Sequence, residues 1–243
     1  VTLAVWNKTT DEIRYVDAKK KGRQLEVAAG NEDIFVRRSN FINSEYVISD
    51  PDSIVVGVRY PILKSVKVNG VTTHYEMHEE AYAPYSRDLH LPETIKAGDA
   101  YLNSTINQAF NEMRSANIKS RAYPDRLMAD VVDKNLIKSI VTIEHTDLYS
   151  LQNDPKQAVE RMLVTLGLNT GDSYNYSRSH AGAFGLAQFI PSTYAAFAAR
   201  THLGLIPDFE AGLKNHVNAV RASAAHLDDS LASLPSEVRA IGM

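Results

Sequence analysis

The sequence predicts an α+β chain: a small β-rich N-terminal region followed by a mainly helical domain. Three observations point there. Over residues 1–77 the apolar residues fall in short β-branched runs separated by turn-formers. Past Pro84 and Pro92 the apolar period lengthens to that of a helix. Of the 243 residues, 44% are hydrophobic and 23% charged, a globular composition with enough apolar mass for one large or two small domains.

The strand-like runs are 13–16, 34–36, 46–48, 54–58 and 62–68, with Asn31, Asp50-Pro51 and Asn69-Gly70 among the breaks. The stretch 64–75 reads as a hairpin, because Asn-Gly accepts the positive φ angles of a two-residue turn and both flanks are strand-like. Ile95, Leu102, Ile106, Phe110 and Met113 recur at helical spacing, as do Leu136, Ile137, Ile140, Val141 and Glu144. Further helices are expected at 155–166, 192–201 and 214–231, with Pro155 in a first turn and Ser192 at a cap. The expected division is a β-rich accessory region, 1–85, and a helical domain, 86–243.

A net charge of −3 gives no electrostatic footprint for nucleic acid. No apolar run approaches the roughly 20 residues that span a bilayer. The absence of cysteine excludes disulfides and thiolate metal sites, and is compatible with an oxidising compartment. A chain beginning at Val1 with no basic-then-apolar leader is read as a processed or trimmed form, so the missing leader does not argue for the cytoplasm. Lys19-Lys20-Lys21 reads as a solvated turn, with contact to an anionic polymer as the alternative. His74, Glu76, His78 and Glu80 alternate and so share one face of a strand. They could hold zinc, but the wet face of an edge hairpin is the commoner arrangement, and no metal or cofactor is expected.

The densest chemical signal lies at 179–194. Ala181, Gly182, Ala183, Gly185 and Ala187 allow a backbone to approach another element or a ligand closely. Gln188 sits in an otherwise apolar run and must find hydrogen-bond partners. Composition alone favours a tight packing contact with an incidental glutamine. Upstream, Glu144 follows Ile137, Ile140 and Val141 at seven, four and three positions, which sets its carboxylate on the apolar face of its helix. A carboxyl buried without a cation has a raised pKa, as a general acid for glycoside cleavage requires. The competing reading is a helix-end glutamate that reaches water or pairs with a lysine.

Ser179, Gly182-Ala183, Gly185-Leu186, Gln188-Phe189 and Pro191-Ser192-Thr193-Tyr194 together resemble the signature of lytic transglycosylases and goose-type lysozymes. The Gln-Phe-x-Pro-Ser-x-Tyr ending is closest to the membrane-bound lytic transglycosylase B branch. The resemblance covers roughly 122–234 and implies a lysozyme-like fold for the helical domain, acting on peptidoglycan glycan strands between MurNAc and GlcNAc. It aligns Ile143-Glu144-His145 with the family's catalytic glutamate, and 218–227 with a later helix that closes the groove. The implied chemistry uses one acid. Glu144 protonates the leaving oxygen, the substrate's acetamido group assists, and Glu144 then activates the sugar's 6-hydroxyl (transglycosylase) or water (lysozyme). Ser179 and Gln188 would orient the sugar, and Gly182, Ala183 and Gly185 would leave room for it. Tyr174 and Tyr176 are candidate stacking platforms.

Asp172 is the first candidate for a second carboxylate that positions water, ahead of Asp147 and Asp154; Asp154, directly before Pro155, also reads as a helix cap. His145 and His180 flank the acid and the motif. The family's Tyr-Asn pair near the domain's end has no counterpart, since no tyrosine follows Tyr194. Either the chain stops short of that pair or another residue does its work. The family also includes enzymes specialised for N-deacetylated glycan. The expected setting is periplasmic or secreted, with the β-rich region as a candidate module for an envelope protein partner. The reading from a different class is a non-catalytic scaffold that grips peptidoglycan.

Overall fold

The computed structural model describes residues 1–21, 24–31, 33–68, 71–236 and 238. An antiparallel sheet region precedes a helical region, so the chain is α+β as predicted. It divides into two compact units, Val1–Thr94 and Ile95–Met243. The division falls in the first turn of the helix Pro92–Ser115, nine residues after the expected boundary at 85/86, which lies in the irregular stretch leading into that helix.

The first unit contains β1 (Thr2–Asn7), β2 (Ile13–Lys21), β3 (Gln24–Val27), β4 (Ile34–Arg38), β5 (Glu45–Ile48), β6 (Ser53–Val68) and β7 (Val71–Tyr82). Five strands form a sheet in the order β3-β2-β1-β6-β7, and β4 pairs with β5 separately. Leu3 and Val5 of β1, and Val16 and Ala18 of β2, are buried at every second position, so one sheet face carries the core.

The predicted runs 54–58 and 62–68 are one continuous strand, β6, with Pro61 inside it. β1 pairs with β6 only as far as Arg59. Beyond that point one side of β6 is an open edge, where a missing N–H removes no ladder bond. β6 and β7 pair from Val58↔Tyr82 to Val68↔Val71, while the expected Asn69-Gly70 turn lies outside the described residues. Lys19–Lys21 belong to β2 rather than to a turn. The Lys20 ammonium lies 5.0 Å from the Phe41 ring centre and 5.3 Å from that of Tyr60, and Lys21 pairs with Glu26 at 2.7 Å. Strand pairing and these neighbours outweigh the run's own polarity.

The second unit contains α1 (Pro92–Ser115), α2 (Met128–Val131), α3 (Lys134–Glu144), α4 (Leu148–Asn153), α5 (Pro155–Asn169), α6 (Pro191–Ala198), α7 (Phe209–Lys214) and α8 (His216–Ala232). Tight three-residue turns sit at Thr170–Asp172 and Thr201–Leu203. The periodic residues Leu102, Ile106, Phe110 and Met113 of α1 are buried in one cluster with Ile137 and Val141 of α3, Met162 and Leu166 of α5, and Val220 and Ala224 of α8. Among the described residues no helix is long and apolar enough to cross a membrane.

Two predicted helix boundaries move. Ser192 lies inside the first turn of α6, with Pro191 at its start and Ile190 as a cap without a side-chain bond. The predicted helix 214–231 is interrupted at Asn215. Its side chain accepts from the Asn218 N–H at 3.0 Å, capping α8 afresh just where α7 ends. Asp154 does cap α5, accepting from the Gln157 N–H at 3.0 Å ahead of Pro155. Asp154→Ala is therefore expected to cost about 1 kcal/mol, lowering Tm by roughly 2–4 °C. An unchanged melting curve would show that this cap does not form in solution.

Candidate active site

Glu144 is the last residue of α3, a helix opened by Asp133, whose carboxylate accepts from the Asn135 N–H at 2.8 Å. Ile137 and Val141 are buried, Ile140 is half-buried, and Glu144 itself is exposed. The apolar face thus ends one turn before the carboxylate, which stands at the rim of the core rather than within it. Even so, the protein around it pushes the carboxyl's pKa above the ordinary range through partial desolvation. No hydrogen bond or ion pair from the described residues reaches this carboxylate. It keeps free acceptor capacity and no cation holds it ionised.

The next residue, His145, ties the end of α3 to the glycine-rich segment. Its Nε2 lies 2.8 Å from the Leu186 carbonyl. A carbonyl only accepts, so Nε2 carries the proton and Nδ1 the lone pair. The ring stacks on Tyr174 with centroids 3.8 Å apart and planes 21° from parallel. Burial lowers its pKa to about 4, and the nearby His216 adds to the depression. His216, 4% exposed, shares a 2.8 Å hydrogen bond with Tyr101 Oη through Nδ1, and burial lowers its pKa to about 4 as well.

Both imidazoles are neutral in the folded protein, whereas in the unfolded chain they take up a proton near pH 6.5. Between pH 6.5 and 4 the unfolded state therefore binds more protons than the folded one, and stability falls as pH falls through that window. Tm is expected to decline from pH 7 to pH 5, above the ordinary carboxylate range. A flat Tm over that interval would contradict the neutral state of these two imidazoles.

The segment 178–189 is a compact double turn rather than a helix start. Ser179 N donates to the Ala183 carbonyl at 2.9 Å, and Ser179 Oγ accepts from Ala183 N at 3.0 Å. Phe184 N donates to the Phe189 carbonyl at 3.0 Å, and Gly185 N to the Ser177 carbonyl at 3.0 Å. Gln188 Nε2 donates to the carbonyls of Gly185, at 2.8 Å, and Ser177, at 3.4 Å. The embedded amide thus finds its partners within its own turn, while its Oε1 has none among the described residues.

Gly185 adopts φ +71°, and a Cβ built there would lie 2.7 Å from the Leu213 carbonyl oxygen of α7. Only glycine fits that approach. Gly182, at φ +82°, meets nothing nearer than Pro191 Cδ at 3.9 Å. Further ties to α7 come from Arg178 with Glu210 at 2.9 Å and from Phe184 with Phe209, centroids 5.8 Å apart.

The structure therefore joins the end of α3 to Ser179–Gln188 through the His145–Leu186 bond, with Gly182, Ala183 and Gly185 in the turn. It treats the other candidates differently. Tyr174 is buried, with φ +62°, stacked on His145 and reaching the Met162 carbonyl at 3.4 Å. It is a core residue, not an open sugar platform. Tyr176 is half-buried, its ring centre 4.1 Å below the Lys214 ammonium. Asp172 is exposed in the turn after α5 and accepts from Asn175 Nδ2 at 3.4 Å. Asp147 caps α4, using both carboxylate oxygens on Ser150.

Two cavities of this unit lie away from Glu144. One, of about 590 Å³, is bordered by Arg121, Arg200, His202 and Asp229; a smaller one, of about 150 Å³, by Glu112, Asn218 and Arg221. No group of three or more His, Cys, Asp or Glu among the described residues is arranged to hold a metal ion. Sequence reasoning missed the His145 tether, because its acceptor is a backbone carbonyl distant in sequence and leaves no compositional trace. Compared with protein-family models, with curated proteins and with solved structures, the chain finds no match.

Proposed function

We propose that the helical unit cleaves the glycan strands of peptidoglycan between MurNAc and GlcNAc units, with Glu144 as general acid and then general base. The observation that carries this reading is one carboxylate. It has no hydrogen-bond or ion-pair partner among the described residues, its pKa is raised by desolvation, and the adjacent His145 is bonded to the small-residue turn at Leu186. The resemblance of the 179–194 motif to lytic transglycosylases and goose-type lysozymes supports the same substrate class.

In this mechanism the protonated Glu144 gives its proton to the glycosidic oxygen as the C1–O bond breaks, and the substrate's acetamido oxygen closes on C1. The resulting carboxylate then takes a proton from the 6-hydroxyl or from water as that oxygen attacks C1 and the acetamido oxygen–C1 bond breaks, restoring the acetamido group and returning Glu144 to its acid form. The Gln188 Oε1, without a partner among the described residues, accepts an amide or hydroxyl proton of the sugar. If water is the nucleophile, Asp172 is the remaining candidate to position it, since Asp147 and Asp154 serve as helix caps. An N-deacetylated glycan would lack the internal nucleophile, so an acetamido-bearing strand suits this one-acid site better. Such a substrate sets the working compartment as periplasmic or secreted.

Mass spectrometry of soluble products from purified peptidoglycan tests the reading. Anhydro ends identify a transglycosylase and reducing ends a lysozyme. A second reading, a scaffold that binds glycan without turnover, draws on the exposure of Glu144 and the burial of Tyr174. Retained binding with no products would favour it.

A further inference from the structure

We propose that β7 is a self-association edge, pairing antiparallel with β7 of a second copy of this chain about a two-fold axis through Met77. β7 is the outer strand of its sheet and pairs along its length with β6 alone among the described strands, and β6 itself has no second strand partner past Arg59 among the described residues. The ribbon so formed exposes Leu63 (65%), Tyr75 (67%) and Met77 (64%) on one face, with Leu63 directly opposite Met77. A two-stranded ribbon with an uncovered apolar face is marginal alone, and an edge strand's unpaired N–H and C=O groups are a template for another strand.

Imidazole–carboxylate complementarity selects the occupant and the register. The other face of β7 carries His74, Glu76, His78 and Glu80, alternating base and acid. In an antiparallel pair centred on Met77, His74 stands opposite Glu80 of the second copy and Glu76 opposite its His78. The two-fold axis repeats both, so all four residues meet a complementary partner. Centring on Glu76 instead would set Glu76 on Glu76 and His74 on His78. Centring on Tyr75 or Glu79 keeps only one complementary pair and its symmetry mate. A parallel in-register pairing would set like on like throughout.

Within one copy, His74 already lies 3.2 Å from Glu76, and His78 3.2 Å from Glu80, which also reaches Lys64. Pairing extends these contacts across the axis and leaves each of the two carboxylates facing an imidazole. On the opposite face the same register lines up Leu63, Met77, and Met77 and Leu63 of the second copy as one apolar row across a four-stranded sheet. One strand edge buries less than a standard interface of about 1,200–2,000 Å², so the expected species is a reversible, concentration-dependent dimer. The inference is independent of the proposed glycan chemistry.

Sedimentation velocity over rising concentration should show the native chain passing reversibly from monomer to dimer. The doubly substituted H74E/H78E chain and the E76K/E80K chain should each stay monomeric, and their equimolar mixture should dimerise. Because the chain has no cysteine, trapping is unambiguous. Met77→Cys puts two thiols directly opposite each other, within disulfide reach. Tyr75→Cys leaves them about 13 Å apart along the strands. Oxidation should cross-link the Met77→Cys chain at least about tenfold faster than the Tyr75→Cys chain, as the spacing a disulfide tolerates requires. A native chain that stays monomeric at every concentration, a mixture that fails to pair, or equal cross-linking at both positions would overturn the proposal.

Discussion

Glu144→Gln is expected to reduce turnover of a soluble peptidoglycan oligomer by about 10²–10⁴-fold, the range a positioned acid–base group contributes. The substitution keeps the shape of the side chain and removes the transferable proton, so the loss should fall in kcat with KM little changed. The native carboxylate has no hydrogen bond or ion pair to lose among the described residues, and its raised pKa reports a mild desolvation cost that the neutral amide avoids. Tm should therefore stay level or rise slightly. A mutant within a few-fold of the native rate would remove Glu144 from the chemistry, while a large drop in Tm would assign it a structural role instead.

Gly185→Val is expected to have the largest effect on stability. Two penalties coincide there. A β-branched residue is forced to φ +71°, and its Cβ is driven to 2.7 Å from the Leu213 carbonyl oxygen. Strain and overpacking each cost about 1–3 kcal/mol, so a combined loss of about 2–6 kcal/mol follows. At roughly 2–4 °C per kcal/mol for a unit of this size, Tm should fall by roughly 4–24 °C. Because Leu186 follows Gly185 and accepts the His145 bond, cleavage should fall with it. Gly182→Ala is the control: its built Cβ meets nothing within 3.8 Å, so only the backbone strain of φ +82° remains. Equal Tm losses at the two glycines would show that the approach of α7 is not what requires Gly185.

The two halves of the fold were legible for different reasons. Apolar residues spaced at three and four positions placed α1 and α3, and the Asp-Pro step placed the start of α5, because each signal lies within a few residues of what it specifies. β1, β3 and the four-residue α2 were not anticipated. Their short segments acquire structure from neighbours remote in sequence, as when Leu3 is held between Val16 and Val58.

The candidate site divides along the same line. Gln188 was read as an amide that must find partners, and it binds the carbonyls of its own turn. Glu144 was expected to be buried, but periodicity gives only the direction of a side chain. α3 ends at Glu144, and no further turn covers it. The resemblance offers Tyr174 as a stacking platform for sugar; the stacking of His145, supplied by another element, buries it instead. The lysine run follows the same rule, since strand pairing overrides local composition, whereas the Asn215 interruption rests on a local cap to the Asn218 N–H.

The most direct test of the central claim is a side-by-side digest of purified peptidoglycan by the native chain and by Glu144→Gln at equal concentration, with soluble muropeptides identified by mass spectrometry. Cleavage products from the native chain and none from the mutant, with both binding the polymer, is the predicted result. No products from the native chain, or the same products from both, would contradict it.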